Sequence, residues 1–146
     1  MKKLLFLLLP IFAFSQTNFK KMDSIQFVQT VDQLVKDTGR NYQLVTNRSD
    51  DDVDNLKYEN VQDKKDILLI KYGTYMDGEN NDLEIKGVKK WRISSIYGKY
   101  LALFQLWKKY ADPKADAEVL SEKMYKSINN FSMSRYDYDG HWRFSF

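Results

Sequence analysis

The chemistry open to this chain is narrow, because its 146 residues include no cysteine and one histidine, His141. Cysteine nucleophiles, iron–sulfur clusters and thiolate-bound zinc are thereby excluded. His141 follows Asp139-Gly140, and an imidazole oriented by Asp137 or Asp139 has the partners of a general base. Nothing completes a catalytic set around it. The chain has no Gly-x-Ser-x-Gly elbow, Ser-x-x-Lys, His-Glu-x-x-His, P-loop or Gly-x-Gly-x-x-Gly, and its six glycines leave few backbone cradles for phosphate. Acid pairs such as Glu79 and Glu84 carry no signature of a glycosidase cleft. His141 is therefore read as a turn residue, and the chain as non-enzymatic with no cofactor; a small hydrolase ranks third among the functional readings.

Asp50, Asp52 and Asp54 place carboxylates at alternate positions, as at the start of a calcium-binding loop. The sixth position holds Asn55 in place of glycine, and the twelfth holds Val61 where a bidentate glutamate is required. The stretch is read as a solvated acidic loop, with calcium as its one metal candidate. Asp77, Glu79, Asn81 and Asp82 form a second oxygen-rich tip.

Two groups suit recognition. Lys89, Lys90 and Arg92 surround Trp91, an arrangement that meets anionic surfaces. If this segment is extended, Lys90 and Arg92 point to one face, with Lys86, and Lys89, Trp91 and Ile93 to the other. Tyr136, Tyr138, His141 and Trp142 cluster near the C-terminus, where aromatic side chains either pack across strands or anchor a partner. These eight residues are the candidate binding set.

The elements that position them follow from hydrophobic spacing. Lys2-Lys3, an apolar run over residues 4–14 and Ala13-Phe14-Ser15 read as a secretory signal peptide, residues 1–15. The run falls short of the roughly 20 apolar residues of a membrane-spanning helix, so no integral anchor is expected after cleavage. Removing Lys2 and Lys3 from the 23 basic residues leaves an excess of one over the 20 acidic ones. That near-neutral balance argues against a nucleic-acid partner.

Residues 16–146 are read as one domain, with no internal repeat. Asp23 and Gln26 predict a capping box, opening a helix over 24–38 with Ile25, Val28, Val31, Leu34 and Val35 on its apolar stripe. Short strands are expected at 42–46 and 67–72 and a further strand at 83–91, with 47–55 a loop and a polar hairpin tip around Asp77-Gly78. From Ser95, the spacing of Ile96, Tyr100, Leu103, Phe104, Trp107 and Tyr110 predicts a second helix. Asp112-Pro113 predicts the start of a third, burying Ala117, Leu120, Met124 and Ile128. Around Asp139-Gly140, a two-residue turn would set Tyr138 opposite His141 and Tyr136 opposite Arg143.

The fold class expected is α+β: an antiparallel sheet with a C-terminal β-hairpin packed against about three helices. The leading functional reading is an exported, periplasmic or secreted protein that binds another protein through aromatic and basic surface, with an inhibitor or immunity protein as one form. The second is a small-ligand or glycan module with an aromatic-lined cavity.

Overall fold

The computed structural model describes residues 19–50, 53–78, 80–81, 84–85, 87–136 and 140–146. Helix α1, Ser24–Asp37, starts at the expected capping box: the Asp23 carboxylate accepts from the Gln26 N–H at 2.8 Å, and Gln26 accepts from the Asp23 N–H at 3.0 Å. It ends at Gly39, whose φ of +70° suits a residue without Cβ. Its buried stripe is Phe27, Val31 and Leu34, whereas Ile25 and Val28, expected inside, face solvent.

The sheet is larger than expected. Strands β1 (Tyr42–Asp50), β2 (Val53–Asn60) and β3 (Ile67–Asp77) form an antiparallel meander. The acidic stretch read as a loop over 47–55 therefore lies largely in two strands. Only residues 51 and 52, and with them Asp52 of the acidic triplet, lie outside the described residues. Strand β2 alternates Leu56 and Tyr58 inward with Lys57 and Glu59 outward, a pattern that acidic neighbours obscured.

Beyond β3, the short pair β4 (Asn80–Asn81) and β5 (Glu84–Ile85) makes the polar tip. Strand β6, Val88–Lys99, then returns along β3. Residues 95–99, expected to be helical, are strand, and helix α2 covers Tyr100–Tyr110 only. The cause is a β-bulge: Tyr72 pairs with Ile93 and Lys71 with Ser95, so Ser94 is an extra residue. The bulge puts Ile93 and Ile96 on the same face three residues apart, and both are buried. This spacing imitates a helix.

Helix α3 is also shorter than expected. Asp116, not Asp112, caps it, accepting from Glu118 and Val119 N–H groups, and it spans Ala117–Ser121. Met124 is exposed, and Ile128 ends strand β7, Tyr125–Ile128. Asn129 and Asn130, both with positive φ, make the tight turn into β8, Phe131–Arg135. Strand β9, His141–Ser145, pairs with β8 so that Arg135 faces Trp142 and Ser134 faces Arg143. The Tyr136 N–H donates to the His141 carbonyl. This register differs by two residues from a two-residue turn at Asp139-Gly140 and so keeps Tyr136, His141 and Arg143 on one face, as expected.

The result is an α+β structure with a seven-stranded antiparallel sheet in the order β1-β2-β3-β6-β9-β8-β7. Helices α1 and α2 cover one face. Phe27 of α1 meets Tyr72 and Trp91, and Trp107 and Tyr100 of α2 meet Phe144 and Trp142. Gly98 lets β3 approach closely, since a Cβ there would lie 3.2 Å from the Leu68 side chain and 3.3 Å from the Ile67 carbonyl. At one end, buried Asp66 accepts hydrogen bonds from Arg40, from Tyr42 at 2.7 Å and from Asn60 at 3.0 Å, tying β1, β2 and the turn before β3 together. Among the described residues no helix is long and apolar enough to cross a membrane.

Candidate functional site

Strand alternation assigns every sheet residue to the helix-covered face or to its opposite. The covered face holds Leu68, Ile70, Ile96, Met133 and Phe144, none of which reaches solvent. No described helix packs on the other face. There Ser95 is buried, while its other described side chains are partly or fully exposed.

Pairing aligns this open face in rows across the strands. One row runs Ser127, Ser132, Ser145, Ser95, Lys71 and Asn55, from β7 to β2. The Ser132 and Ser145 hydroxyls lie 2.6 Å apart. The next row runs Tyr125, Ser134, Arg143, Tyr97, Leu69 and Lys57.

Tyr97 is the centre of this arrangement. The Lys71 ammonium is 4.8 Å from its ring centroid, the Arg143 guanidinium 5.8 Å, and the Tyr136 ring meets it edge-on at 4.8 Å. Each contact is electrostatically favourable for an aromatic face or edge. Together they hold two cations and two phenols in one patch.

Among the residues whose side chains are described, Lys57, Lys71, Lys90, Arg92, Lys99 and Arg143 share this face with the carboxylates of Glu59 and Asp77. Both carboxylates are paired, Glu59 with Lys57 at 3.4 Å and Asp77 with Lys21 at 2.6 Å. The hydrogen bond that the Lys21 ammonium donates to Asp77 raises the Lys21 pKa above its ordinary value. Five further cations thus face outward beside tyrosine and serine hydroxyls.

The structure splits the sequence-derived candidates. Lys90, Arg92, Tyr136 and His141 share the open face, with Tyr136 60% exposed. Lys89 and Trp91 lie on the covered side, where the ammonium is 5.3 Å from the indole and the indole packs against Phe27. Trp142 is buried against Tyr100, which assigns it to the core. Tyr138 is outside the described residues. Of the acidic triplet, Asp50 pairs with Val53 in the hairpin and Asp54 stands opposite Tyr72. Among the described residues no three His, Cys, Asp or Glu side chains converge as a metal site would require.

Lys71, Tyr97 and Arg143 escaped the sequence reading. Tyr97 lay in the segment read as helix, and Lys71 lay in the short strand expected over 67–72, directly after the apolar residues 67–70. Alternation in residues 67–71 was the available signal, since Ile67, Leu69 and Lys71 share a side.

The set is rich in cations, hydroxyls and aromatic faces. Such groups bind anions. No protein-family model matches the chain, and neither a curated protein nor a solved structure matches it.

Proposed function

We propose that this chain is an exported, non-enzymatic binding protein of the bacterial envelope or exterior that holds an acidic protein against its open sheet face. An inhibitor or immunity protein is the form of such a partner-binding module that suits a domain of this size. The observation that carries the reading is the Lys71–Tyr97–Arg143 cluster, on a face where the described carboxylates of Glu59 and Asp77 are each paired with a lysine. Rigid aromatic anchors beside cations give an interface affinity, and a one-signed field speeds encounter with an opposite charge. The lysine pair and apolar run at residues 2–14 support export.

Affinity capture from the host's envelope and secreted fractions tests the reading. The wild-type protein should retain one acidic protein in stoichiometric amount, less of it as salt rises. The Lys71→Glu, Arg143→Glu double variant should lose it. Equal capture by that variant would remove the open face from the proposal.

A further inference from the structure

Residues 19–22 run beside β6 as a strap: Met22 and Trp91 exchange backbone hydrogen bonds of 3.0 and 2.8 Å, and the Ile93 N–H donates to the Phe19 carbonyl at 2.8 Å. The strap continues the line of β9, which pairs with β6 only from Ser95 onward. Between the two lies Ser94, the bulged residue. At this seam a cleft of about 550 Å³ opens, lined by Lys20, Tyr75, Arg92, Ile93, Ser94 and Phe146.

We propose that the cleft is a binding site for a small organic anion, a carboxylate or phosphate ester carried on a compact aromatic body. Its volume falls within the range of about 300–1,000 Å³ found for small-molecule sites. Lys20 and Arg92 contribute positive charge, and no carboxylate side chain is among the lining residues. A guanidinium offers paired donors to an oxyanion, and Arg92 lies over Gly73, where a Cβ would come 3.6 Å from its Nε.

The walls are already in place. The Tyr75 hydroxyl donates to the Lys20 carbonyl at 3.0 Å, fixing the strap, and the Phe146 ring stacks on Phe19 at 4.1 Å. The Ser94 hydroxyl donates to the Lys71 carbonyl at 3.2 Å. Such preorganisation lowers the ordering cost of binding. The cleft shares Arg92 with the open face but includes none of Lys71, Tyr97 and Arg143 in its lining, so the Lys71→Glu, Arg143→Glu variant leaves the cleft's lining residues in place.

An NMR titration of the protein with phenyl phosphate, benzoate and neutral benzyl alcohol tests it. Both anions should give saturable shifts at Tyr75, Arg92, Ser94 and Phe146, with a Kd near ~1 mM or below. Arg92→Gln should weaken binding by ~10-fold or more, whereas Lys89→Gln, an equal charge change on the other side of the sheet, should not. Ser94→Phe, which fills the cleft without altering charge, should abolish the shifts. Linear, unsaturated shifts up to ~10 mM, equal binding of benzyl alcohol, or equal weakening by Lys89→Gln would each overturn the proposal. Either result can be read whether or not a protein partner is captured.

Discussion

Replacing Asp66 by alanine should cost the protein about 3 kcal/mol, in the lower part of the range for breaking a buried ion pair. The residue is 1% exposed and accepts from Arg40, Tyr42 and Asn60. Without its carboxylate, the Tyr42 hydroxyl and the Asn60 amide lose a buried acceptor, at about 1–3 kcal/mol each. Arg40 is less affected, because 31% of its side chain reaches water. Urea unfolding reads the loss directly. With a slope of about 1–3 kcal/mol per molar, the midpoint should fall by roughly 1–3 M at unchanged slope. Asp66→Asn, which keeps one acceptor oxygen, should fall between.

The pH dependence follows from the same geometry. Burial pulls the Asp66 pKa upward, but hydrogen bonds from Tyr42, Asn60 and Arg40 outweigh it and hold the pKa below the ordinary 3.8. The unfolded chain therefore takes up a proton first on acidification, so the stabilisation is present above about pH 4. It is lost as pH falls through the depressed native value. The wild type should lose stability more steeply than Asp66→Asn below that pH. A midpoint shift under ~0.5 M, or identical acid limbs, would refute the assignment of Asp66 as the clamp of this end of the sheet.

Two further perturbations test the core. Burial, with Asp32 nearby, pushes the Tyr58 pKa up to about 12, and burial beside Asp66 and Asp37 raises Tyr42 and Tyr110 further. These groups stabilise the fold below pH 10 and withdraw that support as pH rises, so phenolate absorbance should appear late and together with unfolding. Gly98→Ala should destabilise by about 1–3 kcal/mol, because the added Cβ meets Leu68 and the Ile67 carbonyl. Thermal unfolding measures it, and an unchanged midpoint would show that Leu68 and the neighbouring β3 backbone give way to the added carbon.

The parts of the fold legible in the sequence were those set by local chemistry. The Asp23–Gln26 box marked α1 because both of its bonds form within three residues. Parity in the C-terminal hairpin survived a two-residue error in the turn, since side chains alternate with period two. What failed depended on distant partners. Ser95 to Lys99 became strand because β9 pairs with it, and β2 formed beside a partner, β3, whose own sequence is strongly apolar. The Asn129-Asn130 turn was locally visible, but a plausible helical stripe through Ile128 competed with it. The candidate site was half legible: Lys90, Arg92, Tyr136 and His141 were named, while their grouping with Lys71, Tyr97 and Arg143 required strand order.

The position of β9 carries a consequence for how the protein folds. It follows every other described strand in sequence yet lies between β6 and β8 in the sheet. Until residues 141–146 are available, β7 and β8 have no route to the other strands and Trp107 lacks Phe144. The sheet therefore stays in two parts until β9 docks, and its decisive pairings span long sequence separations, which slows the transition state. A single five-residue strand thus controls whether the two halves of the sheet become one cooperative unit.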